Sequence, residues 1–184
     1  MRFTKVNNRI PHEFFITKGK GESELSAKVG SFHIALNQAG IAAANIMKYS
    51  SVLPATARLT EYSAPVHGEV MEVIMAQADG KTGERLTAGI TFAWLYGKNT
   101  SERAGGLVCE YEGGMDKQDA SRRLSEGLLE IFEHGFSEQF NLGEPETYIE
   151  SFTPDKTFGT ALVALCFKNY LIPEGDDTLN DLII

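Results

Sequence analysis

Residues 49–54 read Tyr-Ser-Ser-Val-Leu-Pro, and the two adjacent serines carry the most unusual chemistry open to this chain. A serine hydroxyl set against the carbonyl of the preceding residue can attack it, exchanging the amide for an ester. β-Elimination then cuts the chain and leaves dehydroalanine, which hydrolyses to a pyruvoyl group on the new N-terminus. Such a group is an electron sink: its ketone condenses with an amine and accepts the electron pair released when a carboxylate leaves. On this reading Ser51 is the precursor of the pyruvoyl cofactor and Ser50 supplies the attacked carbonyl. Cutting between them divides a single domain, 1–184, into a small chain, 1–50, and a large chain, 51–184. The ordinary alternative is a serine pair at a strand end, bonded to nearby backbone.

The attack builds an oxyanion, and decarboxylation needs an acid afterwards. Asn45, upstream of the serines, carries an amide that donates a hydrogen bond without changing charge. Its alternative is a turn asparagine after Ala42-Ala43-Ala44. Glu110 closes the apolar run Gly106-Leu107-Val108-Cys109. Such surroundings raise the pKa of a carboxyl and let it hold a proton near neutral pH. Glu112 shares its strand face, so spacing alone does not choose between the two. The stretch Gly19-Lys20-Gly21-Glu22-Ser23-Glu24 reads as a glycine loop, but it lacks the Lys-Ser/Thr spacing of a phosphate cradle and its carboxylates repel phosphate. Glu22 is instead a candidate partner for a guanidinium. Cys109 and Cys166 lie in apolar segments and read as reduced core thiols. The histidines have no ligand spacing, so no metal is expected.

These groups need a scaffold, and 184 residues suit one domain with a sizeable core. With 42% hydrophobic and 23% charged residues the composition is globular. A net charge of −8 argues against nonspecific binding to nucleic acid or an anionic membrane, and permits a cationic substrate. No apolar run is long enough to span a bilayer. The basic Met1-Arg2-Phe3-Thr4-Lys5 is not followed by an apolar stretch, so no secretory signal is expected and the protein reads as cytoplasmic.

Phe14 to Thr17 reads as a short strand ending in the glycine loop. Phe32, Ala35, Leu36 and Ala39 fall on one stripe of a helix over 31–39, with Ser31 capping its start and Gly40 its end. Asn45 to Leu53 reads as a strand up to the serine pair, and Pro54 stops it from continuing as regular ladder. Long strands follow over 69–78 and 86–96, joined by a turn at 79–83, then another over 105–112. Asp116 should cap a helix running to about Phe140, with Ala120, Leu124, Leu128, Ile131 and Phe132 facing inward. Strands are expected over 147–152 and 157–168, the last apolar on both faces and therefore central. The segment 173–184 changes composition and reads as a tail. Clustered strands with two helices to cover them give an α+β fold with layered sheets.

Three neighbourhoods occur together: Phe14-Phe15-Ile16-Thr17 before the glycines; Ala39-Gly40-Ile41, Asn45-Ile46 and Ser50-Ser51-Val52-Leu53-Pro54; and Gly106-Leu107-Val108-Cys109-Glu110-Tyr111-Glu112-Gly113. In order and spacing they resemble the pyruvoyl-dependent arginine decarboxylases, over about Arg9 to Tyr170. The resemblance implies an αββα sandwich, assembly as trimers, and conversion of arginine to agmatine and carbon dioxide. It implies that Glu110 is the proton donor and that Asn45 takes part in processing and in the site. One position departs from the family. Where the family carries an acidic residue facing the guanidinium, just after the helix aromatic, this chain has His33 after Phe32. A neutral imidazole accepts one hydrogen bond and offers no carboxylate fork. Another carboxylate, Glu22 or one from a neighbouring subunit, would then recognise arginine, or the substrate is a different amino acid. An uncut relative serving as a binding or structural trimer is the remaining reading.

Overall fold

The computed structural model describes residues 8–173. The tail expected over 173–184 therefore lies, beyond Pro173, outside the described residues. The strands are β1 (Ile10–Pro11), β2 (Glu13–Ser23), β3 (Asn45–Lys48), β4 (Val52–Pro54), β5 (Arg58–Leu59), β6 (Val70–Lys81), β7 (Leu86–Gly97), β8 (Arg103–Gly113), β9 (Phe140–Leu142), β10 (Glu146–Phe152), β11 (Phe158–Phe167) and β12 (Tyr170–Leu171). Two α-helices, α1 (Phe32–Gln38) and α2 (Lys117–Gly135), complete the α+β fold. A first sheet has the order β3-β6-β11-β2-β5; a second has β10-β7-β8-β4, with β9 also on β7; β1 and β12 form a separate pair.

Alternation along the strands sorts residues between layers. Phe14, Ile74, Ala76, Val163 and Leu165 from the first sheet meet Leu86, Ala88, Ile90, Phe92 and Val108 from the second in one buried core. The outer face of the first sheet (Phe15, Met71, Val73, Leu162, Ala164) packs on Ala35, Leu36 and Ala39 of the α1 region. Ala93, Leu95 and Leu107 of the second sheet cluster with Leu128 of α2. Strand β11, apolar on both faces, is the central strand of its sheet, as expected.

Several boundaries differ from the sequence reading. The glycine stretch is not a loop: β2 runs unbroken to Ser23 and pairs with β11 throughout, Gly21 opposite Thr160 and Gly19 opposite Leu162. The glycines serve close approach. A Cβ on Gly19 would collide with the Ala35 carbonyl oxygen and lie 2.9 Å from Ala39 N, and one on Gly21 would collide with the Ser31 carbonyl oxygen. Gly21→Ala is therefore expected to lower stability by about 1–3 kcal/mol, read as a drop in the urea midpoint. A midpoint equal to the parent's would mean that α1 can move aside.

The helical segment begins as a short π-helical turn, Ala27–Ser31, before α1. Ser31 makes no capping bond; it is buried, and its hydroxyl lies 2.8 Å from Thr160 Oγ1. The far end follows expectation: Gly40 has φ +78°, with Gly40 N on Asn37 O and Ile41 N on Leu36 O, which satisfies the last carbonyls. Asp116 caps α2 through Asp119 N at 2.9 Å. That helix ends at Gly135, short of Phe140, which instead starts β9 on the edge of β7, and Ile131 is 40% exposed rather than inward. The expected strand over 45–53 is two strands, β3 on β6 and β4 on β8, so the chain changes sheets at residues 49–51. Likewise β6 extends to Lys81, paired with β11, and the turn after it carries the chain from the first sheet to the second.

Candidate active site

The crossing from β3 to β4 places Ser50–Ser51 between the two sheets, with each end tied to a different one. Tyr49 N donates to Val73 O of β6 at 2.7 Å, while Ser51 O accepts from Val108 N of β8 at 3.0 Å. Tyr49's ring packs beside Phe167 (centroids 6.0 Å apart), within an aromatic group that also holds Phe14, Phe92 and Trp94. Ser50 is exposed and Ser51 half-buried. Within the crossing, Val52 N donates back to Ser50 O at 3.1 Å. That carbonyl is the one an attack by Ser51 would convert to an oxyanion, and a donor already lies on it.

Strand alternation turns Glu110 to the same face as Val108, toward the other sheet. The Ser51 hydroxyl donates to this carboxylate, with Oε1 and Oε2 each 2.8 Å from Oγ. Burial pushes the Glu110 carboxyl above its usual range, helped by the nearby charge of Glu112; the Ser51 hydrogen bond, a backbone donor and Lys48 act in the opposite direction. Glu112, on the same strand face, is exposed and accepts from Gln77 N of β6 at 2.8 Å. Spacing left the two carboxylates equivalent, but only Glu110 contacts a serine of the pair.

The other expected site residues lie apart within one chain. Asn45 is exposed at the start of β3, the end away from the serines, and its amide donates to Gly68 O at 3.0 Å. His33 is exposed on α1, beyond the outer face of the first sheet. Glu22 is on β2 at the end opposite Phe14; its Oε1 accepts from Asp155 N at 2.7 Å. It lines a cleft of about 450 Å³ with Lys20, Ile34, Gln38, Asp155 and Lys156, which neither Ser51 nor Glu110 enters. Cys166 is buried and Cys109 half-buried, both free thiols, and burial raises the pKa of each.

Sequence reading missed Glu72. It is 2% exposed in the middle of β6, with its carboxylate bonded to the Arg9 guanidinium. Arg9 in turn stacks on Tyr170, 4.6 Å from the ring centroid. A single charge inside the apolar run Val70-Met71-Glu72-Val73-Ile74-Met75-Ala76 was the available signal.

An α+β scaffold that holds a serine hydroxyl on a half-buried carboxylate at a sheet crossing accords with the resemblance carried by its motifs. The chain belongs to the pyruvoyl-dependent arginine decarboxylase family, whose pattern it matches over residues 13–171. It is similar to the pyruvoyl-dependent arginine decarboxylase AaxB of Chlamydia abortus, with 37% identity over 119 residues, 56% of this chain and 60% of that protein. It is also similar to the pyruvoyl-dependent arginine decarboxylase of Thermococcus kodakarensis, with 30% identity over 138 residues, 73% of this chain and 80% of that one. The family's prosthetic group is a covalently bound pyruvoyl. The residues here fit one: a half-buried serine with a carboxylate on its hydroxyl and a donor on the preceding carbonyl. Among the described residues no helix is long and apolar enough to cross a membrane.

Proposed function

We propose that this chain is a self-processing decarboxylase that converts L-arginine to agmatine and carbon dioxide through a pyruvoyl group made from Ser51. The observation that carries the reading is the Ser51–Glu110 contact at the sheet crossing. For processing, the ionised Glu110 takes the Ser51 hydroxyl proton as Oγ bonds to the Ser50 carbonyl carbon, and Val52 N–H stabilises the oxyanion. The Ser50–Ser51 C–N bond then breaks, its nitrogen gains a proton, and an ester remains. Loss of the Ser51 Cα proton expels residues 1–50 as a free carboxylate. Water replaces the nitrogen of the resulting dehydroalanine, which leaves as ammonia.

In turnover the pyruvoyl ketone supplies the electron sink for loss of carbon dioxide. Glu110, whose pKa burial raises so that the protonated form is favoured more than in an ordinary carboxyl, then gives its proton to the substrate Cα. The sequence reading assigned Glu110 only this later donation; its contact with Ser51 supports the earlier part as well. We further propose an αββα sandwich, supported by the sites of α1 and α2 on the two sheets, and a homotrimer. Asn45 and His33, both exposed and distant from Ser51 in one chain, would reach substrate from neighbouring copies.

A second reading keeps the chemistry and changes the amino acid. It is favoured by His33, which stands where the family carries an acid, and by the engagement of Glu22 with Asp155 N. Intact mass spectrometry tests cleavage: fragments 1–50 and 51–184 are expected, the larger lighter than a serine-started chain by one ammonia. A persistently uncut chain would favour the binding trimer instead. Release of labelled carbon dioxide across the common amino acids tests the substrate. Silence on arginine beside turnover of another amino acid would replace it.

A further inference from the structure

Glu72 is costly where it stands. A carboxylate taken out of water costs several kcal/mol, and its pairing must return that cost. Here the return is incomplete: Arg9 holds Oε1, while Oε2 is buried in the company of the Tyr49 and Tyr170 hydroxyls without a hydrogen bond of full geometry. A leucine at this point of β6 would serve the sheet without that cost. What sets the place apart is its neighbour. The Tyr49 hydroxyl faces Glu72 and Arg9, and burial together with that carboxylate raises its pKa. Tyr49 N is bonded to Val73 O, one residue along β6 from Glu72.

We propose that Glu72 is a positioning residue for cleavage of the Ser50–Ser51 peptide, holding Tyr49 from the first sheet while Glu110 and Val108 hold Ser51 from the second. This rests on the cleavage reading above. The peptide to be cut hangs between two anchors, and Ser50 between them is exposed. Release of one anchor frees rotation about the bonds flanking the Ser50 carbonyl, and Oγ then loses its line of approach to that carbon. Arg9 holds the Glu72 carboxylate in place, with Tyr170 beneath it.

The test follows cleavage of freshly purified parent and variants by denaturing gel, beside their melting temperatures. Glu72→Gln is expected to slow cleavage about ten-fold, in line with the sensitivity of reaction to small misplacements. Tyr49→Phe keeps the ring packing and removes only the hydroxyl; it is expected to slow cleavage at an unchanged melting temperature, and decides the matter should Glu72→Gln not fold. Arg9→Ala should also slow it, and Arg9→Lys, which restores a cation on Glu72, should recover most of the parental rate. A purely structural role would not follow that charge. Parental cleavage rates in folded Glu72→Gln and Tyr49→Phe overturn the proposal while leaving the cleavage reading intact. A parent that is never cut overturns the cleavage reading and this proposal with it.

Discussion

Ser51→Ala is expected to leave one uncut chain of 184 residues with no decarboxylase activity. The substitution removes the attacking oxygen and the precursor of the prosthetic group together, so the loss should be complete. The fold should survive, because Ser51 is held in β-type pairing through its backbone carbonyl on Val108 N, which alanine retains. The Glu110 carboxyl loses a hydrogen bond that favours its charged form, which shifts its pKa further upward. Ser50→Ala is the matching control. The exposed Ser50 contributes only its backbone carbonyl to the proposed reaction, so that variant should still be cut at the same bond. Gel electrophoresis and intact mass read both outcomes. Normal splitting of Ser51→Ala would move the cleavage site elsewhere.

Glu110→Gln should impair both proposed stages. The amide can still accept a hydrogen bond from Ser51 Oγ, so geometry is largely kept, but it can neither take nor deliver a proton. General acid–base groups typically contribute 10²–10⁴-fold, and a turnover loss of about that size is expected per cut chain, together with slower cutting. Glu112→Gln is expected to stay within a few-fold of the parent, since it contacts Gln77 N rather than the serine. The reverse ranking would transfer the acid role to Glu112.

The raised Glu110 pKa gives the two stages opposite pH dependences. Cleavage uses the carboxylate, so its rate should rise as pH climbs through that pKa. Turnover uses the protonated acid, whose population persists to higher pH than an ordinary carboxyl allows and falls as pH climbs through the same value. Removal of the serine hydroxyl on processing takes away a contact that lowers the pKa, so the acid form should be favoured further in the cut protein. Cleavage and decarboxylation rates measured across the same pH series would show this crossing. Parallel profiles would argue that Glu110 does not serve both.

Much of the architecture was legible because it follows from local rules. Leu86, Ala88, Ile90 and Phe92 alternate into the inter-sheet core as their period of two requires, and β11, apolar on both faces, became the central strand. Asp116 starts α2 by accepting the Asp119 N–H on its side chain, and Gly40 closes α1 through backbone bonds, each within its own neighbourhood. Gly19 and Gly21 misled, because glycine permits a turn and also permits a helix to press its carbonyls against a strand. The choice depended on α1, which is packed against β2 across the sheet face.

The site divides in the same way. Sequence alone determined which side chains carry the reactive groups: a serine hydroxyl beside the carbonyl that precedes it, a carboxyl in apolar company, and the family pattern that unites them. Only the tertiary structure decided that residues 45–53 split between two sheets at those serines, that Glu110 rather than Glu112 meets Ser51, and that a charge at Glu72 is buried beside Tyr49. Reactivity is a property of a residue and its near neighbours along the chain. Which groups share a hydrogen bond, and at what dielectric, is set by strands far apart in sequence, and 59 positions separate Ser51 from Glu110.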